Sequence, residues 1–216
     1  MNLSDFDFDL PKKLVASRPV RPRSNAKLLL YHNNLIKDYN FFNLPELLCE
    51  KDLLIFNDSK VLPALLHGFV NSDNIDKKRI FELLLVNQIN EKNWFCFCKP
   101  LKKIKSGNYI FFSDELFAQV LDKCDRGLIL KFEFKGNFFN HLYNVGIMPI
   151  PPYIRKIRKA DNFDKKDYQS IFSKKIGSIA APTASLHFDS KLIKEIKNKG
   201  INYCFLTLHV GIGTFN

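Results

Sequence analysis

Two histidines near the end of the printed chain stand among small and hydroxyl residues, where a titratable side chain could do acid–base chemistry. His187 belongs to GSIAAPTASLHFD and His209 to LTLHVGIGTFN. A third polar group, the carboxyl of Asp58, follows the short apolar run LLIF. Imidazole is partly neutral near pH 7 and can accept a proton, and a carboxyl group can donate or hold one. We expect His187, His209 and Asp58 to be catalytic residues that line one shared cleft at the ends of neighbouring strands.

Each of these residues also has a structural explanation. Asp58 could only cap a turn, and His187 could be a buried histidine with satisfied hydrogen bonds. The glycines near His209 could serve only a tight turn. The sequence contains no P-loop, no dinucleotide-binding glycine motif and no zinc-protease motif. On the residues alone, both interpretations stay open.

The composition favours an anionic partner. The 216 residues include 33 Lys and Arg against 22 Asp and Glu, a formal net charge of +11. Nucleic acid is the first candidate for such a chain, although a genome rich in A and T would produce similar lysine-rich sequences. We find no signal peptide and no apolar run of membrane-spanning length, so we expect a cytoplasmic protein without a membrane partner. The five cysteines are scattered, which favours reduced thiols and no metal site.

The elements that must position these residues divide the chain into regions with two different sequence patterns. The flanks contain short apolar strands, the amphipathic stretch DSKLIKEIKNKG and a candidate hairpin around Asn33-Asn34. Between them, several short apolar segments separated by polar turns are typical of an antiparallel meander or small barrel. We therefore predict an α/β fold with a discontinuous α/β domain, residues 1–67 plus 147–216, interrupted by a β insertion domain, residues 68–146.

Longer motifs then identify a family. DLLIFNDSKVLPALLHG, MPIPPYI, DYQSIFSKKIGSIAAPTASLHFD and LTLHVGIGTF occur in this order, after an opening DFDFDLPKKLVASRPVRPRSNAKLLL. In these motifs the whole chain resembles the S-adenosylmethionine:tRNA ribosyltransferase-isomerases of queuosine biosynthesis.

The resemblance implies a reaction and its partners. The family transfers and isomerises the ribosyl moiety of S-adenosylmethionine onto 7-aminomethyl-7-deazaguanine at the tRNA wobble position, which gives epoxyqueuosine and releases adenine and methionine. S-adenosylmethionine would be a co-substrate, and no metal is implied. The implied fold is a barrel-based α/β domain interrupted by a smaller, mostly β insertion.

The matching loops supply the other candidate site residues, with roles that we assign from chemistry. For substrate binding they are Asn57, Tyr153, Thr183, Ser185, Gly211 and Gly213. For binding tRNA phosphates they are Arg21, Arg23, Lys60, Arg155, Lys156 and Arg158, which we expect to share one face.

The sequence also departs from the family. Lys60 and Leu65 stand where the family usually has arginines, and Ser185 stands where it has glycine. Family members also continue well past the motif that contains His209. Two hypotheses follow. The chain is a transferase, either by itself or completed by a second polypeptide that supplies the missing C-terminal part, or it is an inactive truncated remnant that at most binds RNA.

Overall fold

The computed structural model describes residues 2–70 and 79–215, and mixes helices with strands. The strands before residue 71 are β1 (Lys27–His32), β2 (Leu35–Asn40), β3 (Leu53–Asn57), β4 (Ser59–Val61) and β5 (Leu65–Val70), with helix α1 (Leu44–Leu47) before β3. The next strands are β6 (Arg79–Gln88), β7 (Asn93–Lys99), β8 (Tyr109–Phe111), β9 (Leu116–Cys124) and β10 (Gly127–Phe134). The last elements are α2 (Phe138–Val145), α3 (Pro152–Arg155), α4 (Asp164–Asp167), β11 (Lys175–Ser178), α5 (Ser190–Asn198) and β12 (Asn202–Leu206).

Strands β5 to β10 close into a six-stranded barrel in the order β10-β7-β6-β5-β8-β9, with antiparallel neighbours. Alternate residues point inward, as strand geometry requires. In β7, Trp94, Cys96 and Cys98 are buried in the barrel, while Phe95 and Phe97 are only half-buried. Helix α2 adds Phe138 and Leu142 to the same core.

The flanks pair with each other across the barrel segment. Strand β3 pairs in parallel with β12, and β4 pairs in parallel with β11. Helix α5 is capped at its N-terminus by Asp189, whose side chain accepts a hydrogen bond from the Leu192 amide. The helix buries Leu192 and Ile196 against Phe56 and neighbouring aromatic rings. These contacts bring the ends of β3, β4, β11 and β12 together.

The predicted α/β class and its barrel are confirmed, but the closed barrel lies in another part of the chain than the resemblance implied. It is built from β5 to β10, largely inside the segment predicted as an insertion, whereas the flanking strands form only two-stranded sheets within the described residues. An antiparallel meander can close on itself, while parallel strands need further partners to do so. The domain boundaries 1–67, 68–146 and 147–216 stay a prediction, and residues 71–78 of the insertion lie outside the described residues.

None of the helices in the described parts of the chain has both the length and the apolar composition needed to cross a membrane.

Candidate active site

A cavity of about 670 Å³ lies between the Pro-bounded N-terminal segment 16–27, the segment 150–168 and the turn 183–187. Three residues predicted to do chemistry or bind substrate line it: Tyr153, Thr183 and His187. Tyr153 is 57% exposed and belongs to the short helix α3. A cavity of this volume can hold a ligand of nucleoside size.

His187 ends a 3-10 helix, Thr183–His187, that local contacts hold in place. The buried Ser185 hydroxyl donates to the Pro182 carbonyl oxygen at 2.8 Å, and the buried Phe188 ring anchors the following residue. Thr183 and His187 are therefore presented at the surface of the cavity. The side chain of Ser185 is used inside the turn, so the structure favours a structural role for it instead of the predicted substrate contact.

The surroundings of His187 keep its imidazole neutral. Its ring lies 5.3 Å from the ring of Phe41, centroid to centroid. Partial burial and, secondly, the positive charge of Arg23 lower the pKa of His187 below its ordinary value. His187 as a residue is exposed, and a neutral imidazole is the form that a general base requires.

Arg23 fixes the wall behind His187. Its guanidinium donates to the backbone carbonyls of Lys166 at 2.6 Å, Gln169 at 2.7 Å and Leu186 at 3.4 Å, and the residue is only 7% exposed. Burial lowers the pKa of Arg23. With its donors committed to the backbone, Arg23 does not fit the predicted role as a phosphate-binding residue.

Buried carboxylates neutralise the other arginines at the cavity wall. Asp164, 1% exposed, receives a bidentate ion pair from Arg158, with the Nη1–Oδ2 distance at 2.9 Å. Arg18 pairs with Asp161 and lies 3.5 Å from Asp164. Hydrogen bonding to Arg18 lowers the pKa of Asp161.

The arginines predicted to bind tRNA are thus mostly paired inside the chain. Arg158 is held by Asp164, Arg21 pairs with Asp167, and Arg155 donates to Glu82 at 2.6 Å. Lys156 is exposed. The expectation of one free basic face formed by all six residues is not supported, because several of these arginines form ion pairs with carboxylates. For Arg21 and Arg155 the paired carboxylate is far away in the sequence.

Asp58 and His209 lie at a second place, around the ends of β3 and β12. The Thr207 hydroxyl donates to the buried Asp58 carboxylate at 2.6 Å. Both ends of the Asn57 amide bond the backbone of Leu208. The His209 ring lies so close to Gly177 that a Cβ built there would be 2.6 Å from Cε1.

The shared cleft predicted for Asp58, His187 and His209 is therefore not what the structure shows. His187 lines the cavity with Thr183, whereas neither Asp58 nor His209 does. The strand ends do meet, but through separate contacts: Asp58 bonds Thr207, and His209 lies against Gly177. A Cβ built on Gly211 or Gly213 would have no neighbouring atom within 4 Å, and neither glycine lines the cavity.

Sequence reasoning missed the carboxylates Asp164 and Asp167 and the buried Tyr168, all of which line the cavity. Their segment, RKIRKADNFDKKD, had the appearance of a solvated charged loop. The nearest signal was the cluster of Arg18, Arg21 and Arg23 on one Pro-bounded loop, which needs anionic partners. Within residues 2–70 and 79–215, no group of three or more His, Cys, Asp or Glu side chains is placed to hold a metal ion.

The contact between Gly177 and His209 gives a testable prediction. Gly177 has a φ of 150°, which residues with a Cβ rarely adopt, so Gly177→Ala should lower the free energy of unfolding by about 1–3 kcal/mol and displace the His209 ring. Urea denaturation measures the first effect, and the NMR shift of the His209 ring protons measures the second. Gly213→Ala, with open space and no positive φ, is the matched control. An alanine at residue 177 that behaves like the control would contradict the contact.

Comparisons with known proteins place the chain in a family. The family model described as "Queuosine biosynthesis protein" matches residues 3–216. The chain is 44% identical over 218 residues to the S-adenosylmethionine:tRNA ribosyltransferase-isomerase of Ruegeria sp. (strain TM1040), and 42% identical over 218 residues to that of Finegoldia magna. All of this chain is covered, but it spans only 62% and 61% of the length of these relatives.

A solved structure is also similar. The S-adenosylmethionine tRNA ribosyltransferase of Thermotoga maritima is 28% identical, covers 96% of this chain and 59% of its own, and superposes with a TM-score of 0.37. The family model match over nearly the entire chain decides the assignment, and it confirms the resemblance drawn from the motifs. The chain belongs to the queuosine biosynthesis protein family.

Proposed function

We propose that this chain takes part in transferring and isomerising the ribosyl moiety of S-adenosylmethionine to 7-aminomethyl-7-deazaguanine in a tRNA, with epoxyqueuosine as the product. The observation that carries the proposal is the cavity presenting an exposed, neutral His187 beside Thr183 and Tyr153. Relatives over the full chain are named S-adenosylmethionine:tRNA ribosyltransferase-isomerases. In this proposal S-adenosylmethionine is a co-substrate and no metal takes part.

The proposed role of His187 is that of the base. The positive sulfonium of S-adenosylmethionine acidifies the neighbouring C5′–H bond, and a neutral imidazole can accept that proton while the electron pair stays on the carbon. His187 is then an imidazolium, and it can return a proton at a later step. The charge of Arg23 disfavours the imidazolium, so it promotes this return.

Other residues of the cavity would hold the substrate. The exposed Thr183 hydroxyl can bond ribose hydroxyls or the methionine carboxylate, and the Tyr153 ring can pack on the adenine. Asp58, which was predicted to be catalytic, is hydrogen-bonded to Thr207 and does not line this cavity. We propose instead that the strand ends with Asp58 and His209 serve the positioning of β3 against β12.

A second candidate function is that of one part of a two-part enzyme, or of a remnant that at most binds RNA. It is favoured by the apolar side chains that β3 and β12 leave exposed: Leu53 is 56%, Ile55 59% and Phe205 42% exposed. A second polypeptide could cover these strands. The cytoplasmic location also stays a prediction.

The test is the release of adenine. The purified chain is incubated with S-adenosylmethionine and tRNA carrying the precursor base, alone and with the C-terminal remainder of the Ruegeria relative, and free adenine and modified tRNA are measured. Adenine formed only with the precursor tRNA supports the proposal. Activity that appears only with the added polypeptide supports the two-part enzyme, and no adenine under either condition supports the remnant.

A further inference from the structure

A second depression, which we call the basic groove, lies next to the candidate active site. It has a volume of about 560 Å³ and runs between the Arg21–Arg23 loop, strand β4, helix α4 and the start of α5. The groove is lined by four cationic side chains that do not line the cavity: Arg21, Lys60, Lys165 and Lys166. Hydroxyl groups stand beside them on Ser170, Ser173 and Ser190.

The cations of the groove differ in how far their charges are compensated. Arg21 pairs with Asp167, and Lys165 donates to the Tyr143 carbonyl oxygen at 2.7 Å. Lys60 has its Nζ 5.0 Å from the centre of the Tyr143 ring, and neither Lys60 nor Lys166 forms an ion pair with a carboxylate of the described residues. The ammonium groups of Lys60 and Lys166 therefore remain available for a ligand, whereas that of Lys165 is held by a backbone carbonyl.

One carboxylate also lines the groove and has to be considered. Asp189 accepts hydrogen bonds from the amides of Ser24 at 3.3 Å and Leu192 at 2.9 Å. These donors stabilise its charge and lower its pKa despite partial burial. Its Oδ1 accepts from α5 and its Oδ2 from Ser24, and Asp189 forms no ion pair with Lys60 or Lys166 among the described residues.

Arg23 connects the groove with the candidate active site. It lines both depressions, and its guanidinium bonds the backbone of Lys166 on the groove side and of Leu186, the neighbour of His187, on the other. Only the side chain of Arg23 would thus separate a polyanion bound in the groove from the cavity. Lysines and hydroxyls are the donors that proteins use for phosphate oxygens, and such contacts fix the position of a nucleic acid.

We propose that the basic groove binds the phosphodiester backbone of the RNA substrate, with Lys60 and Lys166 as the principal contacts and Ser170 and Ser173 as further donors. This inference rests on the proposed function for the identity of the RNA. It replaces the predicted basic face with a narrower site: Lys60 is kept, Arg23 becomes the wall between groove and cavity, and Lys166 is added.

The test compares two double variants that lose the same charge. Lys60→Ala with Lys166→Ala removes the free cations of the groove. Lys102→Ala with Lys103→Ala removes two exposed lysines of a short 3-10 helix in the barrel region, Leu101–Lys103, away from the groove. Binding of a fluorescein-labelled RNA hairpin of anticodon-arm size is measured at several salt concentrations. S-adenosylmethionine binding is measured by calorimetry.

We expect the groove variant to bind the hairpin about tenfold more weakly at low salt, and the slope of log affinity against log salt to fall by about 1.5 to 2. The barrel variant should keep the slope of the unmodified chain. Equal losses in both variants would show a response to net charge only and overturn the proposal. Tight, groove-dependent binding of polyglutamate in place of RNA would overturn it as well.

The measurements distinguish an error in the proposed RNA-binding groove from an error in the proposed function. Weaker RNA binding by the groove variant with unchanged binding of S-adenosylmethionine supports the groove, whether or not adenine is released. Unchanged RNA binding by the groove variant overturns the groove, even in a chain that releases adenine.

Discussion

Replacing His187 by alanine should lower the rate of adenine release from S-adenosylmethionine by about a hundredfold or more, the usual contribution of a positioned general base. The side chain is exposed on one side of the cavity, so folding should change little. The rate is measured with precursor tRNA, and with the C-terminal remainder of a relative where release requires it. His32→Ala is the control, because His32 is an exposed histidine in strand β1.

The pH dependence provides a second readout of the same prediction. Since burial and Arg23 lower the pKa of His187, the neutral base persists below the ordinary histidine value of about 6.5. The rate should therefore hold below that value and fall only as the pH drops through the depressed pKa. The same preference for the neutral form contributes to the free energy of unfolding. This contribution is complete above a pH of about 6.5, the ordinary histidine pKa, and is lost as the pH falls through the depressed pKa of His187.

One result would contradict the assignment of His187, and a second would revive the shared site with His209. A His187→Ala variant that retains the rate of the His32→Ala control would exclude His187 as the base. A loss of similar size in His209→Ala would support the shared site expected from the sequence, although the structure places His209 beside Gly177 and outside the cavity.

Elements with a complete local pattern could be predicted from the sequence. Helix α5 has a capping residue, an apolar stripe and a closing glycine, and it forms over Ser190–Asn198, with Asp189 as its N-cap and Gly200, which has a positive φ, just after its end. The β1–β2 hairpin turns at Asn33 and Asn34, both with positive φ, which asparagine tolerates well. In these places, neighbours along the chain determine the structure.

Burial that depends on distant partners could not be predicted in the same way. An apolar run such as that of β3 is typical of a strand buried on both faces, but Leu53 and Ile55 are more than half exposed. Within the described residues, β3 has β12 as its sheet partner, and only the face that carries Phe56 packs against a core. Periodicity shows which residues are apolar, and it does not show how many strands will cover them.

The candidate site shows the same limit. His187 and Thr183 could be found because a motif contains both, and they do line one cavity. The Arg23 contacts join residues more than 140 positions apart, at Lys166, Gln169 and Leu186, so no local pattern announces them. The expected convergence of His187 with His209 failed for a related reason: His187 ends a 3-10 helix, whereas His209 follows strand β12.

Breaking the buried ion pair of Asp164 should have the largest effect on the stability of this region. Asp164→Ala leaves the guanidinium of Arg158 without its bidentate partner and deprives Arg18 of a nearby carboxylate, so the free energy of unfolding should fall by about 3–5 kcal/mol. Urea denaturation followed by circular dichroism measures the change. Glu195→Ala is the matched control, since Glu195 forms an exposed pair with Lys191 at 3.8 Å and should cost less than about 1 kcal/mol.

A double variant separates the lost charge pair from lost packing. Arg158→Met in the Asp164→Ala background removes the unpaired cation, so it should recover part of the stability, because an uncompensated buried charge costs more than the absence of the pair. If Asp164→Ala is no more damaging than Glu195→Ala, the carboxylate does not hold the cavity wall. If Arg158→Met adds a further full loss, the arginine stabilises the wall through its Ser17 carbonyl contact at 2.9 Å and its packing, independently of Asp164.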